Sequence, residues 1–166
     1  MIYIKVFMSL FFLLPFVSTG SGDMYQSEKV LVYKGSSHYS SDILCNISDG
    51  RVYDGRSSYR SDVVFTIKDG KVYKGTSSYS SDVVCTIREN SVYKGNSSYS
   101  SDLIATFRDD KVYKGRSSYT SDVLVNFRDG KIYRGNSHYS SDLLANFSAG
   151  LSLAEMAAVL YCLGVF

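Results

Sequence analysis

The sequence predicts an all-β protein: a twelve-stranded antiparallel closed barrel of six 20-residue hairpin repeats, with a C-terminal hydrophobic helix filling the barrel. Three observations predict it. Tyr, Gly and Asp positions recur every twenty residues without an insertion. Asp-Gly pairs separate short runs rich in Val, Ile and Tyr. A stretch with a single charge, good helix-forming sequence, closes the chain. Composition agrees, because 166 residues at 45% hydrophobic content suffice for one domain with a core, and 15 Tyr with no Trp suit twisted, aromatic-lined β structure.

Residues 1–20 read as a signal peptide. Lys5 precedes the apolar run "VFMSLFFLLPFV", and the small residues Ser18, Thr19 and Gly20 follow, so cleavage is expected near Gly20 or Gly22. The competing reading is an uncleaved membrane anchor, but the run is short against the roughly 20 residues of a span, and Pro15 sits near its end. No Cys stands near the cleavage site, which speaks against a lipid-anchored lipoprotein. The expected location is therefore secreted, or periplasmic and cell-envelope, with residues 21–29 as a short linker.

Residues 30–150 carry the repeat. Tyr33, Tyr53, Tyr73, Tyr93, Tyr113 and Tyr133 stand twenty apart, each followed two places on by Gly. A second aromatic series runs Tyr39, Tyr59, Tyr79, Tyr99, Tyr119, Tyr139, and a Ser-Asp pair ends each motif, from Ser41-Asp42 to Ser141-Asp142. Within "VVFTIKDGKVYKG" the Asp69-Gly70 pair joins two β-type runs, and both turn residues must accept positive φ. Asp49-Gly50 and Asp129-Gly130 repeat it, with Glu89-Asn90 and Asp109-Asp110 as weaker versions. A two-residue turn sets Ile67 opposite Val72 and Thr66 opposite Tyr73. Val63, Phe65, Ile67 and Val72 are then expected on the core face, and Val64, Thr66 and Tyr73 on the other.

The opening strand near Val30 to Gly35 and the final strand near Leu143 to Phe147 both lack a hairpin partner, so pairing them closes a barrel and removes both edges. An open hairpin solenoid is the structural rival. A propeller would have only three blades of two repeats each, and choline- or glucan-binding repeats depend on Trp. About eight strands already suffice for a packed interior, so twelve need a filler. Residues 151–166 supply it: Ser152 with Glu155 forms a capping box before an apolar run, Gly164 is placed as the C-terminal cap, and the helix is expected to enter from the Asp-Gly end.

The hairpins and terminal helix resemble the Tubby C-terminal domain and the related phospholipid-scramblase-like barrels. The short self-similar "DGKVYKG…SSYSSD" units resemble more closely the symmetric β-flower repeat proteins. The first resemblance implies lipid-headgroup or membrane-surface binding; the second implies the fold and no particular activity.

No catalytic residues are expected. An element present in all six copies meets one local need six times, so the Ser-Asp pairs read as turn structure, and no general base recurs beside them. Two basic series are the candidate ligand-binding belts: Lys34, Lys74, Lys94, Lys114 and Arg134, interrupted by Asp54, and Lys68, Arg88, Arg108 and Arg128. Either would receive phosphate headgroups or an anionic glycan, against the ordinary reading of solvated surface charge. Tyr79 and Tyr99 represent the alternative, stacking by the Ser/Tyr loops on glycan or protein. His38 and His138 share one repeat position in copies brought together by closure, a weak metal candidate without a third ligand. No cofactor is expected.

Cys45 and Cys85 stand too far apart in the ring to join, whereas Cys162 on the inner helix would reach one of them; buried free thiols are the equal alternative. Sequons stand at Asn46, Asn96 and Asn146. The net charge of +2 gives no bulk attraction to nucleic acid. The expected function is a non-enzymatic secreted barrel binding a membrane surface or anionic lipid, with a structural or adhesive module for glycan or protein as the alternative.

Overall fold

The computed structural model describes residues 29–166. The expected signal peptide over 1–20, and the linker up to residue 28, lie outside the described residues. Twelve strands follow in order: β1 Val30–Lys34, β2 Ile43–Ser48, β3 Arg51–Asp54, β4 Val63–Lys68, β5 Lys71–Lys74, β6 Val83–Arg88, β7 Ser91–Lys94, β8 Leu103–Arg108, β9 Lys111–Lys114, β10 Val123–Arg128, β11 Lys131–Arg134 and β12 Leu143–Phe147. Each pairs antiparallel with its sequence neighbours, and β1 pairs with β12 through Val32–Phe147, Tyr33–Asn146 and Lys34–Ala145. The wall is closed, and the open solenoid is excluded.

The hairpin register is the one that a two-residue turn dictates, with Ile67 opposite Val72 and Thr66 opposite Tyr73. Asp69 and Gly70 have φ of 51° and 69°. Asp109 and Asp110 hold φ of 50° and 56° without any glycine. At Gly70 an added Cβ would stand 3.1 Å from the carbonyl oxygen of Ile87, so glycine relieves both φ and crowding there.

The other strand junction corrects one expectation. Between β3 and β4 the register shifts, with Val52 opposite Phe65 but Tyr53 opposite Val63. The same bulge recurs at each such junction, for example at Tyr73–Val83 and Tyr133–Leu143. The extra residue takes Val63 off the core face. Val63, Val83 and Val123 are buried, as are Tyr73 and Tyr113, yet all five lie outside the central apolar cluster. They form small satellite cores on the outer wall.

The lumen is layered by side-chain size. Val32, Val52, Val72, Val92, Val112 and Ile132 make a ring of β-branched residues with no exposed surface. Toward the Ser/Tyr loops the next inward position holds mostly small residues, Cys45, Cys85, Ala105, Val125 and Ala145, with Phe65 the large exception. Toward the hairpin turns it holds Ile47, Ile67, Ile87, Phe107, Phe127 and Phe147.

The one α-helix among the described residues, α1 Leu153–Cys162, occupies the space left by the small layer. Ala157, Ala158, Val159 and Leu160 are fully buried, so a whole turn of the helix faces protein on all sides. Ser152 and Glu155 form the expected capping box. At the other end Gly164, at φ 67°, ends the helix: its N–H donates to the carbonyl of Tyr161, and that of Val165 to the carbonyl of Leu160. Leu153 and Met156 lie among Asn90, Asp109 and Asp110 of the hairpin turns, and Leu163 to Val165 lie beside Arg134 at the opposite end. The helix thus enters from the hairpin-turn end, as expected. Among the described residues no helix is long and apolar enough to cross a membrane.

Two stability predictions follow from this anatomy. Asp110→Gly should raise the free energy of unfolding by about 1 kcal/mol, and Gly70→Ala should lower it by at least as much, both read from denaturant midpoints. Burial pushes Cys85 up to about 12 from 9.0, and pushes Tyr161 up to about 12 from 10.0. Raised folded values mean that this contribution is complete below pH 9 and lost as pH climbs toward 12. Thermal midpoints should fall across that window, and less so in Tyr161→Phe.

Candidate functional site

All odd strands run toward the Ser/Tyr loops and all even strands run toward the hairpin turns, so the two basic belts sit at opposite ends of the barrel. Their surroundings differ. Lys34, Lys74, Lys94, Lys114 and Arg134 stand opposite Ala145, Phe65, Cys85, Ala105 and Val125, which is the inward-facing register. They form a ring of exposed cations at the mouth where α1 ends. Among the described residues none of the five makes an ion pair. The closing carbonyls of the helix carry partial negative charge, so the ring also suits the helix dipole. Asp54 takes the sixth place, opposite Cys45.

The second belt is differently engaged. Lys68, Arg88, Arg108 and Arg128 alternate onto the outer wall beside the acidic turn residues. Arg108 pairs with Asp109 at 3.8 Å and Arg128 with Asp129 at 3.5 Å. The guanidinium of Arg108 also lies 4.5 Å from the ring centre of Tyr113. Two of the four, Arg108 and Arg128, are thus matched by local partners.

The loops that bear the exposed tyrosines are rigidly built. In each copy a serine hydroxyl five residues before the aspartate donates to its carboxylate, Ser77 Oγ to Asp82 Oδ2 at 2.5 Å, and the same oxygen accepts from the Tyr79 N–H at 3.1 Å. The aspartate N–H closes a 3₁₀ turn on the tyrosine carbonyl, 3.0 Å from Asp82 to Tyr79. The aspartates are thus turn structure, but the repeating partner is the series Ser37, Ser57, Ser77, Ser97, Ser117 and Ser137, not the adjacent serine. That series is also unbroken in the sequence, and a spacing of five was the signal to read. Asp62 alone gains a second donor, Ser61 at 2.8 Å, and the bonds from Ser57 and Ser61 hold its carboxyl below the usual range.

A further device pins each loop to the outer wall. The side chain of Asn126 donates to the carbonyls of Gly135 and Ser137, and Thr66 and Thr86 reach the corresponding glycine carbonyls at 2.7 and 2.8 Å. Asn46 and Asn146 do the same, although both belong to sequons. The result is a ring of six outward petals whose tips, Tyr39, Tyr59, Tyr79, Tyr99, Tyr119 and Tyr139, are 66–77% exposed. Tyr39 and Lys34 line one shared depression, so tips and cation ring belong to the same end.

The two histidines sit in neighbouring petals but each packs on a tyrosine: His38 edge-on to Tyr33 at 5.8 Å and His138 stacked on Tyr139 at 4.8 Å. Among the described residues no group of three metal-ligating side chains stands together. All three cysteines are free, and Cys45 and Cys162 lie near enough to perturb each other's thiol.

A sixfold hairpin-repeat barrel with a helical plug and loop petals is the class of protein that this geometry defines. The chain belongs to the 6-fold beta flower protein family, whose model matches residues 24–160. No curated protein and no solved structure matches it.

Asn46 is 1% and Asn146 5% exposed, with their amides holding loop carbonyls, whereas Asn96 is exposed on a petal. Folded protein recovered from a glycosylating secretory host should therefore carry glycan at Asn96 alone, as peptide mass mapping would read. Occupancy of Asn46 in folded material would contradict the pinning role.

Proposed function

We propose that this is a non-enzymatic protein, secreted or held in the cell envelope, that docks on anionic membrane surfaces through the petal end of its barrel. One observation carries the reading: five cations that make no ion pair among the described residues ring the same mouth that is surrounded by six exposed tyrosines. Tyrosine favours the headgroup level of a bilayer, and each Lys or Arg near an anionic leaflet contributes about 1 kcal/mol. The petal aspartates carry opposing charge, but they belong to loops pinned on the outer wall, outside the cation ring. The second belt takes no part in this reading, because it lies at the opposite end of the barrel, where Arg108 and Arg128 are paired with turn carboxylates. The resemblance to Tubby-like barrels points the same way.

A second reading is an adhesive module for glycan or protein. It is favoured by the rigidity of the petals, since each tip tyrosine is fixed by a serine hydroxyl on its own backbone N–H, which lowers the entropic cost of stacking.

Flotation of residues 23–166 with phosphatidylcholine vesicles, with and without phosphatidylserine, separates the two. Binding should require the anionic lipid and fall at least tenfold between low and high salt. Lys74→Glu with Lys94→Glu and Lys114→Glu should abolish it, while Arg88→Glu with Arg128→Glu should leave it intact. Failure to bind under every condition would sink the lipid reading. Loss of glycan binding in Tyr79→Ala with Tyr99→Ala would then support the other.

A further inference from the structure

Two of the three thiols meet where the plug ends. Cys45 lies on β2 in the inward-facing register, 1% exposed, and Cys162 is the last residue of α1. The helix packs against β2, and the two thiols lie near enough that each perturbs the other. Cys162 reaches the surface at the mouth, whereas Cys45 does not. Cys85 occupies the same wall position two repeats further on, buried, and the cause acting on it is burial alone.

We propose that Cys45 and Cys162 form a modification site: a dithiol that closes to a disulfide on meeting a disulfide-bearing oxidant, and so fastens the plug helix to the barrel wall. Exposure sets the order of events. The Cys162 thiolate attacks one sulfur of the donor disulfide, giving a mixed disulfide at Cys162 and releasing one donor thiolate. Cys45 then gives its proton to water and attacks the Cys162 sulfur, expelling the second donor thiolate. Two protein thiols are oxidised, one donor disulfide is reduced to two thiols, and the protons balance.

The surroundings fit these roles. Cys45 beside it holds the Cys162 thiol below its ordinary value, against the opposing effects of burial and Asp54. Cys45 is held above its ordinary value, first by Cys162 and then by burial, so Cys162 is the more readily ionised of the two. Once Cys162 is in a mixed disulfide it can no longer ionise, and that part of the restraint on Cys45 disappears. The resulting bridge encloses residues 45–162, nearly the whole wall.

The test uses the full chain, purified reduced and then exposed to oxidised glutathione. Intact mass after denaturing alkylation should show the loss of about 2 Da and a single alkyl adduct, on Cys85, and peptide mapping should join Cys45 to Cys162. The thermal midpoint should rise by about 5–10 °C over the reduced protein. Cys162→Ser should remove the link and the shift, and Cys45→Ser should leave a lasting glutathione adduct on Cys162. Three alkylated thiols, a link through Cys85, or only a bridge between two chains through Cys162 would each overturn the proposal.

Discussion

A closed wall of twelve strands encloses more volume than its own side chains fill, and the rest of the molecule is an answer to that fact. A dry void would forfeit dispersion contacts along every strand, and a wet one would hydrate three rings of mostly apolar residues. The solution is α1, and its presence dictates the layer of Cys, Ala and Val that makes room for it. It also explains why that layer is the least symmetric part of the repeat. A helix cannot offer six equal faces, so Phe65 fills one side, where its ring meets Tyr161 at 6.2 Å.

The recurring bulge divides the two ends of the molecule in kind as well as in position. By rotating Val63 and its equivalents outward, it builds a second, shallow apolar layer beneath the loops, which Asn or Thr side chains then pin from the wall. At that end the inner ring holds five cations and Asp54, while the petals carry their aspartates together with Arg56, Arg60 and Arg116. At the hairpin-turn end acid and base alternate along the chain itself and cancel locally.

Much of the fold was legible in the sequence because each relevant signal was local and repeated six times. Asp69-Gly70 states its turn type through φ alone, and the capping box around Ser152 and Glu155 states where the helix begins. Closure followed from two strands left without partners. What was not legible was the bulge: alternation along "DVVFTIK" puts Val63 inward, and only the three-dimensional pairing with Tyr53 reveals the extra residue. The site was half legible. The basic series were visible as positions, but whether a strand residue faces the lumen or the outer wall depends on the register, and that separated Lys74 from Lys68. Asn46 and Asn146 read as glycan acceptors because a sequon carries no information on burial.

Asp54 has a consequence for orientation. Six repeats place it directly across the ring from Lys114, so the mouth carries a lateral electric moment although its backbone is sixfold. An evenly charged ring would lie flat on an anionic plane with no preferred azimuth. This one is broken at Asp54, and the exposed Arg56 and Arg60 of the second petal restore positive charge only outside it, so the asymmetry belongs to the inner ring and not to the petals.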